Sequence, residues 1–401
     1  MKRNTGYILM ILLMALQAVG FSSCIMDHYD EDQEPGEVTN DNMWVRVRVS
    51  TLDDATPLTP ERELIHSLRI ILVNAEGEVE YNYKKSFDNP VSSYEFNVLT
   101  TAGNKNFYFI ANEENINCLN ADETTTPLST ILSGYLPGLE NATSFEDKVK
   151  NLYFDRTYFE NDNNYIPLSS QYNVTLLPGD HKDENLEFYL VRTATKYTVH
   201  FENSRTESLE IKDLYIQQLE SQMYLMPHVG EKQQTISGMP WIDWLRMVSD
   251  ESNEPEANQG DVNFNTKYGW ITDYQVPSNK PFNFYLINNG SETIPGKQTE
   301  SGGTPVPGTI PDLGPFYSTE GFNLIPGDAT GAQQYTLFIN LHDNGENKDI
   351  RDSRILPNLG ALFRNTHVII NVTFDESWMH VYAQIESWKE DEAYGSVTEE
   401  K

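Results

Sequence analysis

Cys24 closes the tetrapeptide Phe21-Ser22-Ser23-Cys24, behind the cations Lys2 and Arg3 and the apolar run Tyr7 to Val19. A thiol placed there is a nucleophile for lipid transfer. The layout resembles a bacterial lipobox, in which a signal peptide over residues 1–23 is removed and Cys24 is acylated as the first residue of the mature chain. The apolar run has 13 residues, short of the roughly 20 that span a bilayer. Phe21 stands where such a site usually carries Leu. Acyl chains contribute about 0.8 kcal/mol per buried CH₂, so palmitate and further chains on Cys24 would hold a soluble domain to a membrane. The competing reading is an ordinary signal peptide with an incidental free thiol.

Elsewhere few groups are arranged for catalysis. The eight histidines, at positions 28, 66, 181, 200, 228, 342, 367 and 380, include no HExxH pair, and neither a G-x-S-x-G elbow nor a phosphate-binding loop occurs. His200, His367 and His380 fall in alternating strand patterns that account for them. Cys118, in NINCLNAD, has no motif around it and no disulfide partner if Cys24 carries lipid. The run Glu160-Asn161-Asp162-Asn163-Asn164 offers oxygen ligands of the kind Ca²⁺ takes, but lacks the glycine and distal glutamate of a calcium loop and reads as a solvated turn. Trp241 and Trp244 would share one side of a short helix, either to stack on a sugar or to anchor a core. The expectation is no enzyme, no metal and no cofactor.

The net charge of −32 repels polyanions and excludes nucleic acid as a partner. With 22 Tyr, 18 Phe, 24 Gly and 20 Pro the chain suits strands separated by turns. Trp44 to Ser50, WVRVRVS, alternates strictly, with Val45, Val47 and Val49 on one face and Arg46 and Arg48 on the other. A linker with Pro57 and Pro60, centred on Arg62, separates it from Ser67 to Val73, a more fully buried strand. Further strands are expected at Tyr94 to Val98, Asn106 to Ala111, Asn185 to Val191, Tyr197 to Phe201 and Leu209 to Leu219. The last are YTLFINL, Val368 to Phe374, and the hairpin strand Met379, Val381, Ala383, Ile385 before Trp388. Short helices are expected over Thr126 to Gly134, with Thr126 as cap, Ser144 to Leu152 and Ile242 to Val248; residues 289–333 read as loop. The fold class is all-β: two tandem antiparallel β-sandwich domains, transthyretin-like and Greek-key, with short helical excursions. The organisation is a signal peptide (1–23), an acidic tether (24–43), an N-terminal sandwich (44–191) and a C-terminal sandwich (192–401).

Three stretches carry a resemblance to the Bacteroidales fimbrillin superfamily, the subunits of type V pili. SLRIILVNAEGEV with LTTAGNKNFYFIANEEN resembles the early strands, FYLVRTATKYTVHF with Arg192 and Lys196 resembles the segment joining the two domains, and LFRNTHVIINVTF with VYAQIESW resembles the closing strands up to Trp388. The acidic run Asp27, Asp30, Glu31, Asp32 is similar to the export signal of surface-exposed Bacteroidetes lipoproteins, and equally to a solvated tether.

The resemblance implies a structural pilus subunit that supports adhesion and assembles by donor-strand exchange. A lipoprotein precursor reaches the cell outer membrane, a protease cuts after an arginine, and the departing first strand leaves a groove that a neighbouring subunit fills. Here the removable strand is Val45, Val47, Val49. Arg62 is the favoured cleavage point because it lies in a linker, with Arg46 and Arg48 as the others. Members that polymerise carry an apolar donor extension, whereas everything after Trp388 is hydrophilic, so the chain reads as a tip or accessory subunit unless Met379, Val381, Ala383 and Ile385 act as donor. The implied partners are other fimbrial subunits, the outer membrane through the lipid, and host or bacterial surface ligands. The alternatives are a fimbrial anchor at the outer membrane or a monomeric glycan-binding surface lipoprotein.

Overall fold

The structure, a computed structural model, describes residues 42–52, 59–120, 124–137, 145–179, 181–227, 235–236, 239–240, 277, 280–299, 303–320, 335–356, 362, 364–376, 378–386 and 388. The signal peptide, Cys24, nearly all of the tether, Trp241, Trp244, the helix expected over 242–248 and the tail beyond Trp388 lie outside the described residues.

Seven strands build the first sandwich: β1 (Asn42–Thr51), β2 (Ile65–Asn74), β3 (Val79–Val91), β4 (Ser93–Thr101), β5 (Gly103–Ala111), β6 (Leu168–Leu176) and β7 (His181–Arg192). Their order is β3-β2-β5-β6-β7-β1-β4. The path turns a corner in β7, where Val191 and Arg192 pair with β6 while the preceding residues through Leu190 pair with β1. Two layers result, β3-β2-β5-β6 and β7-β1-β4. Leu68, Ile70, Leu72, Phe107 and Phe109 from one layer meet Val45, Val47, Val49, Val98 and Phe188 from the other in a single apolar core.

Strands β2 and β5 are buried on both faces, as the unbroken apolar runs of their sequences require. Ile71, Val73, Tyr108 and Ile110 point away from that core into a second cluster. There they meet two short helices, α1 (Leu128–Ser133) and α2 (Phe145–Lys150). The first helix starts later than expected. Thr126 is paired with Cys118 in a small sheet, and Pro127, at ψ 131°, is still extended and forms the N-cap.

The second sandwich comprises β8 (Thr195–Asn203), β9 (Leu209–Glu220), β10 (Pro281–Ile287), β11 (Leu313–Ser318), β12 (Thr336–Asp343), β13 (Lys348–Ile355), β14 (Thr366–Asp375) and β15 (Trp378–Glu386). One sheet runs β8-β14-β15 with β11 on the other side of β8, and the other runs β10-β9-β12-β13. Val199 and Phe201, Ile211 and Leu214, Leu337 and Ile339, and Val368 and Ile370 fill the space between them. β12 alternates buried and half-buried without a break, the signature of a strand with one face on a core.

Strands β3, β6, β10 and β13 are not expected from the sequence reading, and two further details depart from it. β1 with β7 and β8 with β14 pair in parallel, which long connections between the partners allow. β11 occupies part of the stretch read as loop: Gly314 and Pro315 disguise it, and such residues are tolerated where a strand is not flanked on both sides. Among the described residues no helix is long and apolar enough to cross a membrane.

Glu220, at the end of β9, is fully buried. The Lys280 backbone N–H donates to its Oε2 at 3.2 Å, and its Oε1 has no hydrogen-bond partner among the described residues. Burial pushes its pKa up to about 7. A carboxyl raised in the fold favours its neutral form, so its relative contribution is greatest below pH 4.5 and is lost as pH rises through 7. Glu220→Gln is therefore expected to be more stable than the parent at pH 8 by about 1–3 kcal/mol, and nearly equal to it at pH 4.5. Denaturant unfolding at the two pH values checks this; a gain of equal size at both would contradict it.

Candidate functional site

β1 is the centre of its layer, hydrogen-bonded to β7 on one side and β4 on the other. Val45, Val47 and Val49 are each 0% exposed, with Met43 and Thr51 also buried on the same face. Val47 stands opposite Leu186 and Val49 opposite Phe188 in the parallel register. On the solvent face Arg46 donates to Glu95 of β4 at 2.9 Å, and Arg48 lies 3.9 Å from both Glu95 and Glu187 of β7. Lifting out this one strand would bare two backbone edges and the apolar floor between them.

The three arginines differ in setting. Arg46 and Arg48 have exposed side chains, 47% and 45%, but their backbones lie in the middle of a sheet. Arg62 is not in an open linker as expected. Glu61–Glu63 form a 3₁₀ turn, and the Arg62 guanidinium, 16% exposed, lies 4.5 Å from the Tyr317 ring centroid and 3.1 Å from Asp162. Its carbonyl accepts the Ile166 N–H at 2.7 Å. The Pro-rich run before it signals a chain break, but nothing local shows that residues 162, 166 and 317 close over the turn.

The strand considered as a donor, β15, is an edge of its sheet among the described residues and pairs with β14 along its whole length. Met379 and Ala383 are buried in the second core, Val381 is partly buried there, and Arg354 Nε donates to the Met379 carbonyl at 3.4 Å. The side chain of Ile385 lies outside the described residues.

Beside Arg62 lies a cluster that the sequence reading missed. Glu63 is fully buried and accepts hydrogen bonds from Tyr317 Oη at 2.5 Å and from Trp388 Nε1, with Lys196 Nζ 3.1 Å away. The Arg192 guanidinium and the Lys196 ammonium lie 5.2 and 5.6 Å from the Trp388 ring centroid. Arg192, Lys196 and Trp388 were each visible separately; the structure brings Lys196 and Trp388 to the Glu63 carboxylate and lays Arg192 over the Trp388 ring. A basic residue in a buried strand pattern demands a buried acid, but a separation of 133 positions between Glu63 and Lys196 hides which one. Close by, Arg364 and Glu320 form a fully buried bidentate pair, with the guanidinium also donating to the carbonyls of Tyr224 and Leu225.

Among the described residues the remaining groups make no reactive constellation. Cys118 is buried and burial pushes its thiol up to about 12. His200 bonds to Asp312, His367 Nε2 lies 2.8 Å from Thr198 Oγ1, and His380 Nε2 lies 3.0 Å from Asp375. In the 160–164 turn the Asn161 side chain accepts the Asn163 N–H at 3.1 Å. Among the described residues no three His, Cys, Asp or Glu side chains are grouped to hold a metal ion.

Residues 44–212 match the family model of the major fimbrial subunit protein (FimA), a span that runs from β1 through β8 into β9. Among solved structures the chain is similar to the tip fimbrial protein Mfa3 from Porphyromonas gingivalis with a C-terminal truncation. The identity is 14% and the TM-score 0.48, with 86% of this chain and 100% of that chain covered. It is similar also to a candidate cell adhesion protein from Parabacteroides distasonis ATCC 8503 (14%, TM-score 0.47, 87% and 98% covered). A third, from Bacteroides eggerthii DSM 20697, is a candidate cell adhesion protein as well (12%, TM-score 0.46, 89% and 100% covered). No curated protein matches the chain.

Proposed function

We propose, from the premise that this chain belongs with the fimbrial subunits whose family model its residues 44–212 match, that it is a tip or accessory subunit of a cell-surface fimbrium and accepts a neighbour's strand in place of β1. The observation that carries this reading is the position of β1 at the centre of a three-stranded layer. A departing edge strand would expose one edge, whereas a departing central strand leaves a slot that only another strand fills. Refilling it buries four apolar side chains at the positions of Met43, Val45, Val47 and Val49. At about 1.5–3 kcal/mol each that amounts to roughly 6–12 kcal/mol before entropy costs, enough to hold a filament without covalent links.

Arg62 remains the favoured cleavage point on geometric grounds. A cut after Arg46 or Arg48 leaves the rest of β1 covalently in place, while a cut after Arg62 frees all of it. The side chain is tucked against Tyr317, so the turn must open locally before a protease reads it. Before cleavage Cys24 would moor the precursor in the outer membrane. The acceptor role is favoured over a donor role because β15 is paired throughout and two of its side chains lie in the second core.

N-terminal sequencing of the protein in sheared surface material tests the reading. The expected first residue is Glu63. Material that assembles with other subunits yet begins uniformly at Cys24 would overturn cleavage and leave the anchor role.

A further inference from the structure

The two flanking strands say more about what fills the slot. We infer that the strand it accepts is basic on its solvent face, with small apolar side chains beneath, and that it comes from a chain other than a second copy of this one. This rests on the reading of β1 as exchangeable.

Glu95 of β4 and Glu187 of β7 reach over β1 from opposite sides and are bridged by Arg46 and Arg48. With β1 gone, the two strands face each other across one empty strand position, ~10 Å or two strand spacings. Two half-exposed carboxylates then border the slot in a protein of net charge −32. An acidic strand meets like charge on both sides, a neutral one leaves both carboxylates without a cation, and a basic one restores both pairs. Beneath, the core is packed around valines, each 0% exposed, which leaves no room for aromatic side chains at those positions.

No other strand among β2–β15 has Lys or Arg at two successive positions of one face. β15, the strand considered as donor, presents His380 and Tyr382 where β1 presents Arg46 and Arg48. A second copy therefore has no matching strand among the described residues except its own β1.

The test uses the full mature chain with a specific protease site in place of residues 53–58, nicked in solution so that β1 is held only by its contacts. Three labelled synthetic strands compete for the slot at low ionic strength: residues 42–51, the same strand carrying Arg46→Glu and Arg48→Glu, and residues 378–386. The native strand is expected to exchange in, and the charge-reversed strand to bind about tenfold more weakly, a gap that closes in 1 M salt. The order of the two should invert in a nicked chain carrying Glu95→Arg and Glu187→Arg, and the strand 378–386 should bind more weakly than the native one. Equal binding of native and charge-reversed strands at low salt, or of 378–386 and the native strand, overturns this inference and leaves the slot standing. Failure of every strand to exchange, the native one included, overturns the slot itself.

Discussion

Val47→Asp is expected to unfold the first sandwich. The side chain is fully buried in the middle of a strand flanked on both sides, so the new carboxylate has neither water nor a cation within reach. Burying an unpaired polar group costs several kcal/mol, and the lost valine packing adds about 1–3 kcal/mol. Domains of this kind hold only about 5–15 kcal/mol in total, so one substitution removes much of the margin. Val47→Ala, which keeps the site apolar, should fold and lose about 1–3 kcal/mol. Arg48→Ala, one residue along on the solvent face, should change stability by less than about 1 kcal/mol, because its pairs are exposed and 3.9 Å long. Denaturant unfolding of the three variants, with limited proteolysis to locate the damage, measures the contrast. If Val47→Asp unfolds within about 1 kcal/mol of the parent, β1 is not a structural part of the sandwich and the slot has no walls.

Strands with one clear face were legible because period-two alternation is a local property. WVRVRVS states which side chains of β1 are inside, and NVTF does the same for the second half of β14, whose first half, Thr366 to Ile370, is buried on both faces. Partners and direction were not legible. Nothing in residues 42–51 indicates that the strand runs parallel to residues a hundred and forty positions later, since parallel pairing leaves no turn sequence to read. The stretch around Leu313 was hidden for the opposite reason: its Gly and Pro spell a loop, yet the strand pairs with β8 alone among the longer strands. Arg62 was misplaced because a Pro-rich run shows that a strand stops there and says nothing of what packs on it. The Glu63 cluster gathers residues 63, 192, 196, 317 and 388, and no short window of sequence contains two of its four chain regions.

Glu63→Ala is expected to cost about 3–5 kcal/mol, the second large effect. The carboxylate is the acceptor for Tyr317 and Trp388 and the counter-ion of Lys196, which is itself almost fully buried. Removing it takes the carboxylate away from a buried ammonium and two buried donors, the kind of change in which breaking an ion pair costs most. The pair itself need not be strongly stabilising, and this makes the prediction specific. Lys196→Met on its own should also destabilise, by leaving the buried acid without that cation, but the double variant Glu63→Ala with Lys196→Met should recover a large part of the loss. The cluster ties the turn after β1 to β8, β11 and the residue just beyond β15. A chain cut after Arg62 would thus have its new first residue already held by three distant segments, so the acceptor sandwich keeps its shape while its first strand departs. Denaturant unfolding of the four proteins, parent, two singles and double, yields the coupling energy. Strict additivity of the two single losses would show that Glu63 and Lys196 act independently, and the cluster could not then serve as the fixed end of the cut chain.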